Sequence, residues 1–139
     1  MIQYSFVMAK IRLALLDANI VYLDAISRVL SLHDEFHVLY SVQTMNELRH
    51  LMEHDPPDIV IADLDFYTAS DPFGANLILE IYPDVRFLFM GFDLPEHMIR
   101  KRKDEARVSF LPKDLDISLT INRLIYISSY CGSSSRWNP

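Results

Sequence analysis

Asp17, Asp63 and Lys113 are the residues whose types and placement could do chemistry together, because each stands at the end of a short apolar run of strand length. Ile11–Leu16 runs into Asp17, Asp58–Ala62 into Asp63, Arg86–Met90 into Gly91, and Val108–Leu111 is followed by Pro112 and Lys113. Two carboxylates about 5 Å apart repel by a few kcal/mol at an effective dielectric of about 20, so such a pair needs a cation. Lys113 or a divalent metal would supply it. A single acid after a buried strand often serves only as a helix N-cap or turn residue. Two acids and a lysine on three different strand ends point instead to a charged pocket, with Asp65 close behind Asp63.

The elements that must position these residues follow from hydrophobic periodicity. Ile11–Leu16 is apolar on both faces except at Arg12, as a central buried strand requires. Tyr22, Ala25, Ile26, Val29 and Leu30 recur at helical spacing behind it. Phe36–Val42 reads as a second strand, and Met45, Leu48, Leu51 and Met52 as a second helix that stops before Pro56-Pro57. The β-branched run Asp58–Ala62 is the third strand, and Asp71-Pro72 suits an N-cap and first helical position for a helix to about Tyr82. Arg86–Met90 and Val108–Leu111 are further strands, with a polar helix over Pro95–Ala106 between them. Ile117–Tyr130 forms the last helix, with Ile117, Ile121, Leu124, Ile125 and Ser128 along one stripe and Asp114 or Asp116 near its start. Strands alternating with helices imply right-handed parallel βαβ units, hence a doubly wound α/β sheet covered on both faces. Reactive groups in such sheets gather at the carboxyl ends of the strands, where Asp17, Asp63, Gly91 and Lys113 fall.

Other chemistries find little support. The chain has 139 residues, half of them apolar, enough for one core of ordinary size. Residues 1–10 read as an N-terminal extension, 11–130 as the domain and 131–139, containing Gly132-Ser-Ser-Ser135, as a flexible tail. A net charge of −6 argues against direct nucleic-acid binding by this domain, which needs clustered cations. The Arg100–Lys103 run is spread over several faces of a helix and reads as solvated. His50 and His54 have helix spacing that suits a metal, but no third ligand is evident. Gly74, Gly91 and Gly132 make neither a dinucleotide fingerprint nor a P-loop, which speaks against a nucleotide enzyme or a flavin carrier of this architecture. Cys131, the single cysteine, rules out an internal disulfide and has no positioned histidine. No apolar run approaches the roughly 20 residues of a membrane span. Met1–Lys10 lacks the basic start and cleavage site of a signal peptide, so a soluble, cytoplasmic protein is expected.

Over about residues 10–128 the chain resembles the receiver domain of two-component response regulators. Pro57-Asp58-Ile59-Val60-Ile61-Ala62-Asp63 is similar to the family's third strand, and Phe110-Leu111-Pro112-Lys113-Asp114 to its fifth. The resemblance implies a flavodoxin-like sheet of order 2-1-3-4-5. It puts Asp63 at the phosphoacceptor position, Lys113 at the phosphate-pairing lysine and Phe110 at the switch aromatic. Asp17 takes the first of two acids at the end of the first strand, and Asp65 the position that lends a backbone oxygen to the metal. Asp114, where many members have proline, resembles the subfamily that carries helix-turn-helix effector domains.

Four positions depart from the family pattern. Ala18 replaces an acid that ligates Mg²⁺, and Gly91 replaces the Thr or Ser whose hydroxyl contacts the phosphoryl group. Tyr67 and Asp71 stand where the family has proline and glycine. Phosphoryl transfer depends on preorganised cations and donors, and two of them are missing. The expectation is therefore a non-enzymatic pseudo-receiver with weak or no metal binding at Asp17, Asp63 and Asp65. It would need no cofactor and would bind a protein partner or a second copy through the fourth helix, fifth strand and fifth helix. The alternative is a conventional response regulator, using Mg²⁺ and phosphorylated on Asp63 by a histidine kinase.

Overall fold

A computed structural model of the chain describes residues 9–67, 74–94, 96, 107–113 and 116–131. Five strands, β1 (Ile11–Leu16), β2 (Phe36–Val42), β3 (Ile59–Asp63), β4 (Arg86–Gly91) and β5 (Val108–Pro112), form one sheet. All four strand pairings are parallel, as the alternation of elements implied, and the order is β2-β1-β3-β4-β5, as the resemblance implied. The described helices are α1 (Ile20–Ser31), α2 (Met45–Met52), α3 (Ala75–Ile81) and α4 (Ile117–Cys131), joined by one 3-10 turn at Leu64–Phe66. The predicted helix over 95–106, with its Arg100–Lys103 run, lies outside the described residues except for Glu96. So do Asp71, Pro72 and Asp114.

Period-two alternation divides the core between the two faces of the sheet. Leu13, Leu15, Ile59, Ile61, Leu88, Met90 and Leu111 pack with Leu23, Ile26 and Leu30 of α1 and with Ile121, Leu124 and Ile127 of α4. Ala14, Leu16, Val60, Ala62, Phe87, Phe89 and Phe110 pack on the other side with Leu48 and Met52 of α2 and with Ala75 and Ile78 of α3. Strand β2 breaks this phase. Its register against β1 shifts between Leu13 and Ala14, so that Val38 faces Leu13 while Tyr40 faces Ala14 and Leu39 is extra. One added residue exchanges the two faces, which is why Phe36 and Val38 join the first cluster while Tyr40 and Val42 join the second.

Arg12, the one polar residue of β1, is held at the amino edge of the sheet. Its backbone N–H donates to Asp58 Oδ2 at 2.8 Å, its Nη1 to the Pro56 carbonyl at 2.8 Å, and its Nη2 pairs with Asp55. The Tyr40 hydroxyl donates to the Asp55 carbonyl at 2.9 Å, and burial pushes its pKa up to about 12 although Arg12 pulls the other way.

Two helix faces differ from the expected stripes. In α1 the buried positions are Leu23, Ile26 and Leu30, and Ala25 is exposed. In α4 Ile127 is buried at 1 % exposure and Ile125 is 40 % exposed, so the core stripe runs through Ile121, Leu124, Ile127 and Ser128. Ile125 and Ile127 are chemically identical, and only the rotation of the helix against the sheet chooses between them.

The start of α1 matters most for the site, because it leaves the strand end that carries Asp17. Asn19 is its N-cap, with the side-chain oxygen accepting from the amides of Val21 at 3.0 Å and Tyr22 at 3.2 Å. Replacing Asn19 with Ala removes both bonds and is expected to lower unfolding stability by about 1 kcal/mol in urea titrations.

Candidate functional site

Asp17, Asp63 and Lys113 come together at the carboxyl edge of the sheet. β1 and β3 are neighbours, which brings the two acids side by side. Lys113 extends from the end of β5, anchored by its own N–H donating to the Gly91 carbonyl at 3.0 Å. Its ammonium donates to Asp17 Oδ2 at 2.7 Å and to Asp63 Oδ1. The three side chains are 6, 16 and 6 % exposed for Asp17, Asp63 and Lys113. Each carboxylate has its second oxygen satisfied by a backbone amide, Asp17 Oδ1 by Asn19 N–H and Asp63 Oδ2 by Asp65 N–H, both at 2.9 Å.

Aromatic rings close over this cluster. The Lys113 ammonium lies 4.4 Å from the centroid of the Tyr22 ring and 5.6 Å from that of Phe92, within reach of the negative ring faces. Beneath it the cavity bounded by Leu15, Ile26, Ile61, Met90 and the charged residues measures about 10 Å³, room for one water at most. Burial disfavours the charged form of Lys113. The hydrogen bonds and charges of Asp17 and Asp63 outweigh it, and its pKa stands above the usual lysine value. Burial likewise raises the pKa of the Tyr22 phenol, against the pull of Lys113.

Gly91 and Phe110 belong to the opposite face. Leu64 packs against Gly91 so closely that a β-carbon there would lie 2.8 Å from Leu64 Cβ. Phe110 is fully buried, stacked on Phe89 with centroids 5.8 Å apart and met edge-on by Tyr67 at 5.1 Å.

No profile of a known protein family matches the sequence. Over 112 residues it is 20 % identical to the transcriptional regulatory protein DegU of Brevibacillus brevis, matching 81 % of this chain and 48 % of that one. The chain therefore spans about half the length of that curated relative. Among solved structures, the isolated REC domain of RcsB from Salmonella enterica serovar Typhimurium aligns with a TM-score of 0.71 at 11 % identity, over 87 % of this chain and 90 % of that one. A two-component response regulator of the LuxR family from Aurantimonas sp. SI85-9A1 aligns at 0.73 and 16 %, over 88 and 87 %. The signal receiver domain of NarL from Mycobacterium tuberculosis aligns at 0.63 and 17 %, over 90 and 98 %.

This chain has the receiver fold. Within that fold the expected positions resolve unequally. Asp17, Asp63 and Lys113 meet, whereas Asp65 is exposed and contributes its backbone N–H to Asp63 rather than a carboxylate to the pocket. Ala18 is exposed and its carbonyl accepts from Gln43 Nε2 at 3.0 Å. A divalent cation would need oxygens free to turn toward it, but the facing oxygens of Asp17 and Asp63 already hold the Lys113 ammonium. Among the described residues no group of three or more His, Cys, Asp or Glu is placed to hold a metal ion. Tyr22 was expected only as part of a core stripe, and nothing in the sequence marked Leu64. Both gain their roles from neighbours distant along the chain.

Replacing Lys113 with Met leaves two buried carboxylates facing each other and is expected to cost on the order of 3 kcal/mol at neutral pH. The pH dependence has a definite sign. A lysine whose folded pKa is raised contributes fully below its ordinary value of 10.5 and loses that contribution as pH rises through the folded value. Thermal melts of wild type and Lys113→Met should show a constant gap from neutral pH to about 10 that narrows above 10.5.

Proposed function

We propose that this receiver fold acts as a signalling module, not an enzyme, whose state does not depend on Mg²⁺-assisted phosphorylation of Asp63. The observation that carries this reading is the pair of departures beside Asp17, Asp63 and Lys113: Ala18 has no carboxylate, and Gly91 has no room for a side chain against Leu64. An aspartyl phosphorylation site needs a removable cation and donors aimed at the incoming oxygens. Here Ala18 offers no carboxylate and Gly91 offers no hydroxyl. The module works instead through a fixed surface that meets a protein partner or a second copy. On α4 the exposed Leu119, Ile125 and Tyr126 supply apolar area for such a contact.

One observation favours the second reading, a conventional phosphoacceptor served by a histidine kinase with Mg²⁺ as cofactor. Asp63 and its lysine are both present, and Asp63 is the most accessible of the three charged groups. Among the described residues no helix is long and apolar enough to cross a membrane, which suits either reading. One relative is named a transcriptional regulatory protein and RcsB was solved on promoter DNA, which supports coupling of such a module to a DNA-binding part.

Backbone amide shifts during a titration with Mg²⁺ and beryllofluoride separate the two. The proposal expects no saturable shifts around Asp17 and Asp63 up to several millimolar Mg²⁺, since affinity follows the number of charged ligands. Tight, saturating shifts centred there would establish the second reading. Sedimentation under the same conditions is expected to give one unchanged oligomeric state with and without the phosphate mimic, because a ligand shifts an equilibrium only through differential contacts.

A further inference from the structure

The 3-10 turn that follows Asp63 makes a contact at each of its ends. At the first, Leu64 lies against Gly91 at the end of β4. A β-carbon built on residue 91 would stand 2.8 Å from Leu64 Cβ and 3.0 Å from Leu64 Cδ2, closer than packed carbons approach. At the last, Tyr67 presents its ring edge-on to two rings, with centroids 5.1 Å from Phe89 of β4 and 5.1 Å from Phe110 of β5. Edge-on aromatic pairs are favourable beyond the area they bury. Phe110 is thus stacked on Phe89 and meets Tyr67 in a T-shaped contact, and Phe89 is backed by Phe87 at 5.2 Å.

The turn itself is short and tied. Tyr67 N–H donates to the Leu64 carbonyl at 2.9 Å, and Asp65 N–H donates to Asp63 Oδ2 at 2.9 Å. The bond to Asp63 Oδ2 ties the start of the turn to the charged cluster, and the contacts of Leu64 and Tyr67 tie it to the ends of β4 and β5. Packed contacts of this kind resist continuous deformation, because an ångström of separation forfeits much of the dispersion energy.

We infer that the turn Leu64–Tyr67 is a latch, holding the carboxyl ends of β4 and β5 in one arrangement through Leu64 on Gly91 and Tyr67 on Phe110 and Phe89. Tyr67 acts by packing and positions Phe110, and its hydroxyl plays no part. The latch lies on the α2–α3 side of the sheet, opposite the face that holds the Lys113 cluster. It does not rest on whether Asp63 accepts a phosphoryl group, so the test is independent of the magnesium titration.

Residue-resolved amide exchange on the full chain decides it. In Tyr67→Ala, exchange at residues 89–91 and 108–113 is expected to rise about tenfold or more while β1 and β2 keep wild-type protection. Tyr67→Phe should match wild type throughout. Gly91→Ala should loosen the same segments by pushing Leu64 aside, and Leu64→Ala should loosen residues 89–91 by removing the side chain that packs there. Wild-type exchange at 108–113 in Tyr67→Ala, an equal rise in all five strands, or a Tyr67→Phe protein as loose as Tyr67→Ala each overturns the inference. If Tyr67→Ala does not fold, Gly91→Ala and Leu64→Ala decide: a rise confined to the ends of β4 and β5 upholds the latch, and wild-type exchange there or an equal rise in all five strands overturns it.

Discussion

Two carboxylates at the ends of neighbouring strands share one ammonium, and the rest of the carboxyl edge is arranged around that constraint. Asp17 and Asp63 lie almost out of water, where an uncompensated pair would repel strongly. Lys113 reaches them from β5, past the end of β4, and this fixes how the outer strand ends relative to the inner ones. The backbone amides of Asn19 and Asp65 take the remaining carboxylate oxygens, so the first residues after β1 and β3 are set by the same charges. The fold places its costliest groups at one point and satisfies each of them locally.

The two faces of the sheet answer to different forces at this edge. On the α1–α4 face charge dominates, with Tyr22 and Phe92 covering the ammonium. On the α2–α3 face the same strand ends are packed by hydrocarbon and aromatic contacts. Alternation makes this division possible, since Met90 and Gly91 point to opposite sides though they are adjacent in the chain. Asp63 and Leu64 divide in the same way, and the residue that bears the charge is bonded to the one that closes the apolar side.

At the amino edge a second polar cluster plays a quieter part. Arg12 would disrupt a buried strand in isolation, but it sits where β1 begins and Asp55, Pro56 and Asp58 surround it. The charges of the central strand are thus confined to its two ends, and the stretch between is apolar on both faces. This is the pattern that made β1 readable from its composition.

Strand positions, parallel pairing and the identities of Asp17, Asp63 and Lys113 were legible in the sequence because period and residue type are local properties, while the strand order came from the resemblance. Apolar runs of strand length alternated with helical spacing, and three ionisable residues fell where such sheets gather their chemistry. What the sequence could not decide were choices between equivalent residues. Ile125 and Ile127 differ only through the rotation of α4, and the bulge at Leu39 reversed the phase of β2 without any change in composition. Asp65 was grouped with the acids by proximity, yet the turn exposes its side chain and uses its amide. Leu64 and Tyr67 acquired roles only once β4 and β5 lay beside them. Local sequence determined which residues were available at the edge; the packing of distant segments decided which of their atoms met, because contact depends on rotation and register that no single segment encodes.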